Sequence, residues 1–400
     1  MTIEEWAAMN TIPERPSDLT HRILPSALMC VFSFVTAFTN FFLPIYFRDT
    51  LGYSGAQIGV LFGALALTAL VAAVPVGLGA DRLTPKRILV VLFLMLALSA
   101  FGMARVEGFG ACVAVFVVFG IAINGIRISL DTLYLKTDHG DETGERMGLY
   151  QAVRMAGIAV GTAAGGYLLY RVAFASTLIA LSLASAAMLL GALGLPSTRT
   201  IRLHLAEYRA DFLRLKVVLF MAWLFLFSTH WGAEQTSYAL FLQDTLGLSL
   251  WQMGLYMGAE FIPLGAAVWW CGRASDQGRS LRAMAVAGLV LSGAGQVAMC
   301  VPHVSLSFVA RLVHGVGDGA LTIVVYVGMA KYFHFDRMGG NYGLVFLIVS
   351  AGSVVGSILY GPLGQHYGYA VPLLASGVLT LLISPVVYLI PKGASLEADA

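Results

Sequence analysis

Six ionisable side chains in the second half of the chain fall inside long apolar stretches: His230, Glu234, Glu260, Arg311, His314 and Asp318. Charge within hydrocarbon is costly, so each is a functional candidate. His230 and Glu234 are spaced i, i+4, as are His314 and Asp318, which puts each pair on one helix face. Burial favours the neutral carboxylic acid, whereas a nearby arginine favours the carboxylate. A carboxyl group moved between two such settings takes up and releases one proton per cycle. Histidine exchanges protons in the same range. Glu234, Glu260 and Asp318 are therefore expected as proton carriers, with Arg311 as gating cation. His230 and His314 are expected to tune them or to contact substrate. The competing reading of either histidine is a hydrogen-bonded structural residue.

The first half holds Arg127 and Asp131, again i, i+4, and Arg154. Three readings stay open for them: a charge network, a structural ion pair, or two guanidiniums holding an anionic or hydroxyl-rich substrate. Asn40, Asn124, Gln235 and Tyr238 are further pocket candidates, and Trp231 offers a ring for stacking. Trp269 and Trp270 read as packing or membrane-belt residues. No HExxH, GxSxG or Walker loop is present, so neither an enzyme nor an ATP-driven pump is expected. Cys30, Cys112, Cys271 and Cys300 lie in or beside apolar runs without CxxC spacing. They read as small hydrophobes, and no disulfide, metal or cofactor is expected.

The elements that must hold these residues are membrane helices. The chain has 400 residues, of which 58% are hydrophobic and 12% charged, with mean hydropathy +0.81. A soluble domain carries roughly 25% charged residues. A net charge of +2 gives no reason to expect a nucleic-acid partner. About 20 apolar residues cross a bilayer. Such runs lie near 25–47, 55–79, 88–106, 110–135, 147–171, 173–195, 217–242, 251–272, 283–301, 305–332, 340–363 and 370–391. With both termini inside, only Arg48, Arg105 and Arg171 of the 24 basic residues fall in external segments. Residues 1–24 and 392–400 are expected as cytoplasmic tails. The basic stretch 197–216 is expected as a cytoplasmic linker with an amphipathic helix on the membrane surface.

The chain also repeats. Moved by 195 positions, Asp49-Thr50-Leu51-Gly52 falls on Asp244-Thr245-Leu246-Gly247. The same shift pairs Ser54 with Ser249, Gln57 with Gln252, Asp81 with Asp276, Gly157 with Gly352, and Gly161 with Gly356. Two six-helix bundles, 25–196 and 217–391, are expected with a substrate path between them. Buried charge does not follow the repeat: Asp318 falls on Ile123, Glu234 on Thr39 and Arg311 on Phe116.

The loop Gly77-x3-Asp81-Arg82-x-Thr84-x-Lys86-Arg87 resembles the signature loop of the major facilitator superfamily, G-x3-D-R-x-G-x-[KR]-[KR]. Thr84 stands where that pattern has its second glycine. Gly272-x3-Asp276-x2-Arg279-x2-Arg282 resembles an eroded second copy. The resemblance implies an all-α fold of twelve transmembrane helices in two pseudo-symmetric bundles. It also implies that Gly77, Asp81, Arg82, Lys86, Arg87, Gly272, Asp276 and Arg282 gate closure between the halves. Arg311-x2-His314-Gly315-x-Gly317 is similar to a pattern usually seen on the fourth helix. Gly148-x8-Gly157-x3-Gly161-Thr162-x2-Gly165-Gly166 is similar to the fifth-helix motif of drug/proton antiporters, with Thr162 in place of its proline. A carboxylate–histidine–arginine set in the second half resembles the lactose-permease-like and nucleoside/proton-symporter-like branches.

The expected function is proton-coupled symport of a small polar or weakly acidic organic solute by alternating access. The alternative is proton antiport exporting drug-like or siderophore-like compounds. The expected setting is a cell inner membrane, crossed many times by a functional monomer whose partners are lipid, protons and a small-molecule substrate.

Overall fold

A computed structural model describes residues 22–106, 108–137, 142–198 and 200–389. Asn40 lies within its first helix, but its side chain, and both expected tails apart from a few flanking residues, fall outside what is described. The described chain is helical, without strands. Thirteen α-helices follow one another: α1 (Leu24–Ile45), α2 (Gly55–Arg82), α3 (Pro85–Met103), α4 (Phe109–Thr137), α5 (Thr143–Arg171), α6 (Phe174–Leu193), α7 (Leu205–Phe212), α8 (Leu215–Ala233), α9 (Leu250–Asp276), α10 (Leu281–Ala298), α11 (Val304–Tyr332), α12 (Met338–Tyr367) and α13 (Ala370–Leu382). A π-helical turn, Glu234–Tyr238, prolongs α8.

Nine of the described helices are long and apolar enough to cross a bilayer. The long helices outside that set are α5 and α9, for which packing gives the reason, and α1, whose described apolar run is Leu24–Ala37. A Cβ added to Gly157 or Gly161 of α5 would strike the Cys30 or Phe34 carbonyl of α1. One added to Gly258 or Gly272 of α9 would strike the Ala159 or Gly144 carbonyl of α5. α5 and α9, held this closely by their neighbours, meet protein over much of their surface and need less lipid-facing apolar area.

The 195-residue repeat recurs in space. Gly52 and Gly247 both take positive φ, 69° and 66°, before α2 and α9. Ser54 with Gln57, and Ser249 with Gln252, form capping boxes on those helices. Gly157 meets the Cys30 carbonyl, and Gly352 meets that of Phe225, which is Cys30 moved by one repeat. Likewise Gly161 meets Phe34 and Gly356 meets Thr229.

Several helices outrun the apolar stretches: α2 continues to Arg82, α9 to Asp276, and α5 begins at Thr143. These added turns carry polar groups because they meet other helix ends instead of lipid. The linker differs from a helix resting only on a membrane surface. Although Leu205 of α7 and Leu213 just after it are exposed, the buried residues of α7 are polar, Tyr208 and Asp211, and they dock on α2 and α12.

Candidate functional site

The second-half cluster is built by four helices. His230 lies on the last turns of α8, and Glu234 opens the π-turn that follows. Glu260 sits mid-way along α9. Ser292 comes from α10, and Arg311, His314 and Asp318 come from one face of α11. Small residues let these helices close around the charges: Gly315 of α11 rests on Glu260, and Gly317 on Ser292. The π-turn adds a residue to the winding, a distortion frequent at functional sites.

Arg311 pairs through Nη1 with Glu234 Oε1 and through Nη2 with Glu260 Oε2 at 2.5 Å. Its Nη2 also donates to Glu234 Oε2 at 3.2 Å. The guanidinium lies over the Tyr238 ring at 4.2 Å, so Tyr238 is a platform for Arg311. Asp318 accepts the Ser292 hydroxyl at 2.7 Å through Oδ1. Its Oδ2 faces His230 Nε2 at 3.3 Å and His314 Nε2 at 3.6 Å. His314 Nε2 also lies 3.1 Å from Glu234 Oε1 and 3.9 Å from Glu260 Oε1. The His314 side chain is fully buried, whereas that of Glu234 is 16% exposed and gives the cluster its opening.

The other ring nitrogens fix the tautomers. His230 Nδ1 lies 2.6 Å from the Phe227 carbonyl, and His314 Nδ1 lies 2.8 Å from that of Ser292. A carbonyl oxygen only accepts, so each Nδ1 carries hydrogen. A neutral ring would then aim the bare lone pair of Nε2 at carboxylate oxygen. His230, His314 and Asp318 bring one donor atom each within 4.8 Å of one another, near enough to share an ion. The Arg311 guanidinium already places a fixed positive charge beside them, which disfavours a second, doubly charged cation and favours protons.

The first-half cluster lies where α4 and α5 meet α11 and α12. Asp131 is buried and accepts from Tyr326 at 2.7 Å, Tyr342 at 2.5 Å and Gln151 at 3.4 Å. Of the three readings left open, the structural ion pair is not formed. Among the described residues, neither Arg127 nor Arg154 has a carboxylate within 4.0 Å. Arg127 stands over the Phe346 ring at 5.2 Å, and its buried Nε has no partner. Arg154 donates to Gln151 Oε1 at 3.1 Å and is in electrostatic reach of Arg127. Both arginines stay partly exposed.

Other pocket candidates are tied into structure. Asn124 donates to the Gly120 carbonyl at 2.9 Å and to Thr68 at 3.4 Å. Trp231 packs edge-on against Phe227 and tilts against His230. Gln235 is exposed and accepts from Ser353 at 3.4 Å. Ser292, Gln151, Tyr326 and Tyr342 were absent from the sequence-derived set. Tyr326 is Asp131 moved by one repeat, so the register already pointed to it.

At the end nearest α7, two clasps join helices far apart in the sequence. Asp81 accepts from the Gly339 and Gly340 amides at 2.9 and 2.7 Å, at the start of α12. Asp276 accepts from the Gly144 and Glu145 amides at 2.9 and 2.6 Å, at the start of α5. Gly77 and Gly272 let the helices touch beside them, against Gly339 and Gly144. Lys136 pairs with Asp81 at 2.5 Å, and Tyr208 donates to it at 2.9 Å. The basic residues of the loop behave differently: Arg82 and Arg87 are exposed, Lys86 is half-buried, and Arg282 stands over Tyr388 at 5.6 Å. Among the described residues none of these four has an ion-pair contact of 4.0 Å or less to either clasp aspartate.

The human organic anion transporter MFSD10 (TETRAN) superposes with a TM-score of 0.73 at 15% identity, covering 93% of this chain and 100% of that one. A point mutant of the nucleoside transporter NupG gives 0.71 at 14% identity, covering 92% and 99%. At such identity these likenesses establish the fold. The sequence profile of the Major Facilitator Superfamily matches residues 26–279 and 261–398, and the chain belongs to that superfamily.

Proposed function

We propose that this protein is a secondary active transporter that carries a small polar or weakly acidic organic solute together with protons. Bundles 25–196 and 217–391 rock about a central path, the linker end faces the cytoplasm, and a monomer in a cell inner membrane is the working unit. One observation carries the reading: three carboxylates, the partly exposed Glu234 and the buried Glu260 and Asp318, share a single arginine with two histidines whose Nε2 atoms face carboxylate oxygen. Such a set is stable only with protons aboard, and helix movement that parts Arg311 from its glutamates changes how many it holds. Proton antiport was suggested by the α5 glycines. Their close contacts with α1 and α9 account for them without an export role.

The test is solute-driven proton flux in proteoliposomes, screened with organic carboxylates and nucleosides, for the wild type and for Asp318→Asn, Glu234→Gln and Glu260→Gln. At least one variant is expected to carry solute without protons. Intact proton coupling in all three would sink the proposal. Solute that dissipates a pH gradient only from the opposite side would mean antiport.

A further inference from the structure

The two clusters carry opposite, unbalanced charge, and the imbalances can be counted. In the second half Glu234, Glu260 and Asp318 face Arg311 alone, leaving a deficit of two positive charges. Contact geometry agrees with that number: His230 Nε2 is in hydrogen-bond reach of Asp318, and His314 Nε2, buried without a hydrogen-bond partner, has three carboxylates within 4.0 Å. Both Nδ1 atoms are committed to carbonyls, so His230 Nε2 and His314 Nε2 each need a proton between themselves and the carboxylates. The groups facing these rings come from every charged neighbour. His314 meets Glu234 and His230 from α8, Glu260 from α9, Ser292 from α10, and Asp318 and Arg311 from its own helix. His230 meets Asp318 and His314. α12 and α13, which also pack on α8, contain no Asp, Glu, Lys or Arg. Two protons therefore bring the cluster to neutrality.

The first half has the reverse imbalance. Asp131 is occupied by two tyrosines and Gln151, while Arg127 and Arg154 lack carboxylate partners and leave one positive charge in excess. α11 links the two clusters: Tyr326, bonded to Asp131, follows Asp318 by eight residues, about 12 Å along the helix axis. That spacing suits a small solute lying beside both.

We infer that the substrate is an organic monoanion whose charged group sits on Arg127 and Arg154, and that two protons held by His230, Asp318 and His314 travel with it. The inference rests on the proton-coupled reading above and adds substrate charge and stoichiometry to it. One anion with two protons moves one net positive charge per cycle, so membrane potential drives transport as well as a pH gradient.

The experiment measures equilibrium accumulation in proteoliposomes of labelled gluconate, lactate and hippurate, with their amides and uridine as uncharged probes. For two protons per monoanion, one pH unit at zero potential gives about 100-fold accumulation. A potential of about 59 mV without a pH gradient gives about tenfold, the value for one charge. Removing one proton site, as in His230→Gln, is expected to lower the pH response to about tenfold and to abolish the response to potential. Arg127→Gln and Arg154→Gln are expected to lose the preference for carboxylate over amide. Wild type that accumulates about tenfold per pH unit and ignores potential would overturn the two-proton count while leaving proton coupling intact. Amides or uridine carried as well as carboxylates would overturn the monoanion. Accumulation that follows neither gradient would overturn proton coupling itself.

Discussion

Thr84 has φ 81° and ψ 136°, the only positive φ of a non-glycine residue among the described residues. It occupies the position where the superfamily loop has glycine, and the backbone there still follows a path that suits glycine. Holding a β-branched residue in such a region costs of order 1–3 kcal/mol. The Thr84 hydroxyl is also buried without a hydrogen-bond partner, which adds to the cost. Glycine would give back about 0.5–1 kcal/mol through its freer unfolded chain. The balance favours glycine, so Thr84→Gly is expected to raise the melting temperature in detergent, read by intrinsic fluorescence. A lower melting temperature would mean that the threonine makes a compensating contact. The sequence marked this residue by its departure from a pattern, just as it marked the buried charges by their setting. It did not settle their pairing. Arg127 and Asp131 share a helix face, but a shared face leaves the side chains free to turn to different neighbours, and Asp131 turns to tyrosines on α11 and α12.

Among the elements, α7 gains a contact that its own sequence does not announce. Its basic, polar sequence suggested a helix lying on a membrane surface, yet Asp211 is drawn into a four-donor knot. Arg214 lies at 2.5 Å, Arg337 Nε at 2.9 Å and Nη2 at 3.2 Å, and Asn341 at 3.2 Å. Burial by itself would raise the Asp211 carboxyl. The hydrogen bonds from Arg337 and Asn341, with the charges of Arg337 and Arg214, outweigh burial and hold it below the ordinary range. A carboxyl lowered on folding stabilises fully above its unfolded value, about 3.9, and loses that stabilisation as pH falls through its folded value. Asp211→Asn should therefore melt below the wild type at pH 7 and pH 5, with the gap narrowing as pH drops under about 4. Equal melting at pH 7, or a gap that persists undiminished to pH 3, would contradict this role. Hydropathy could not show the knot, because Arg337 and Asn341 lie more than a hundred residues away and meet α7 only through the tertiary fold. For the same reason α2, α5 and α9 run past their apolar stretches: the extra turns answer to other helix ends, whose positions no local pattern contains.

At the scale of the whole molecule, the repeat legible in the sequence is also the geometry of the two clasps. Asp81 meets the first amides of α12, and Asp276 meets those of α5; the two carboxylates are one repeat of 195 residues apart, and so are the two amide pairs that they accept from. A carboxylate at a helix N-terminus meets unpaired amides and the positive end of the helix dipole, so each clasp is a charge-assisted latch. The latches differ in strength for a reason outside the repeat. Asp81 gains Lys136 and, from the linker, Tyr208, whereas Asp276 is held through the two amides. Hydrogen bonds to a charged group contribute about 1.5–3 kcal/mol each, and about 1.4 kcal/mol changes an equilibrium tenfold. Asp81→Asn should thus raise the ratio of open to closed linker end at least tenfold more than Asp276→Asn does. Spin labels on exposed Arg87 and Arg279, one from each bundle, would report the ratio as a distance distribution by electron resonance. Equal shifts in the two variants would show that the linker adds nothing to the Asp81 latch, and no shift in either would show that the closed end is held by glycine packing alone. A larger shift for Asp81→Asn would make the connecting segment part of the gate and the two halves unequal in motion, as they already are in charge.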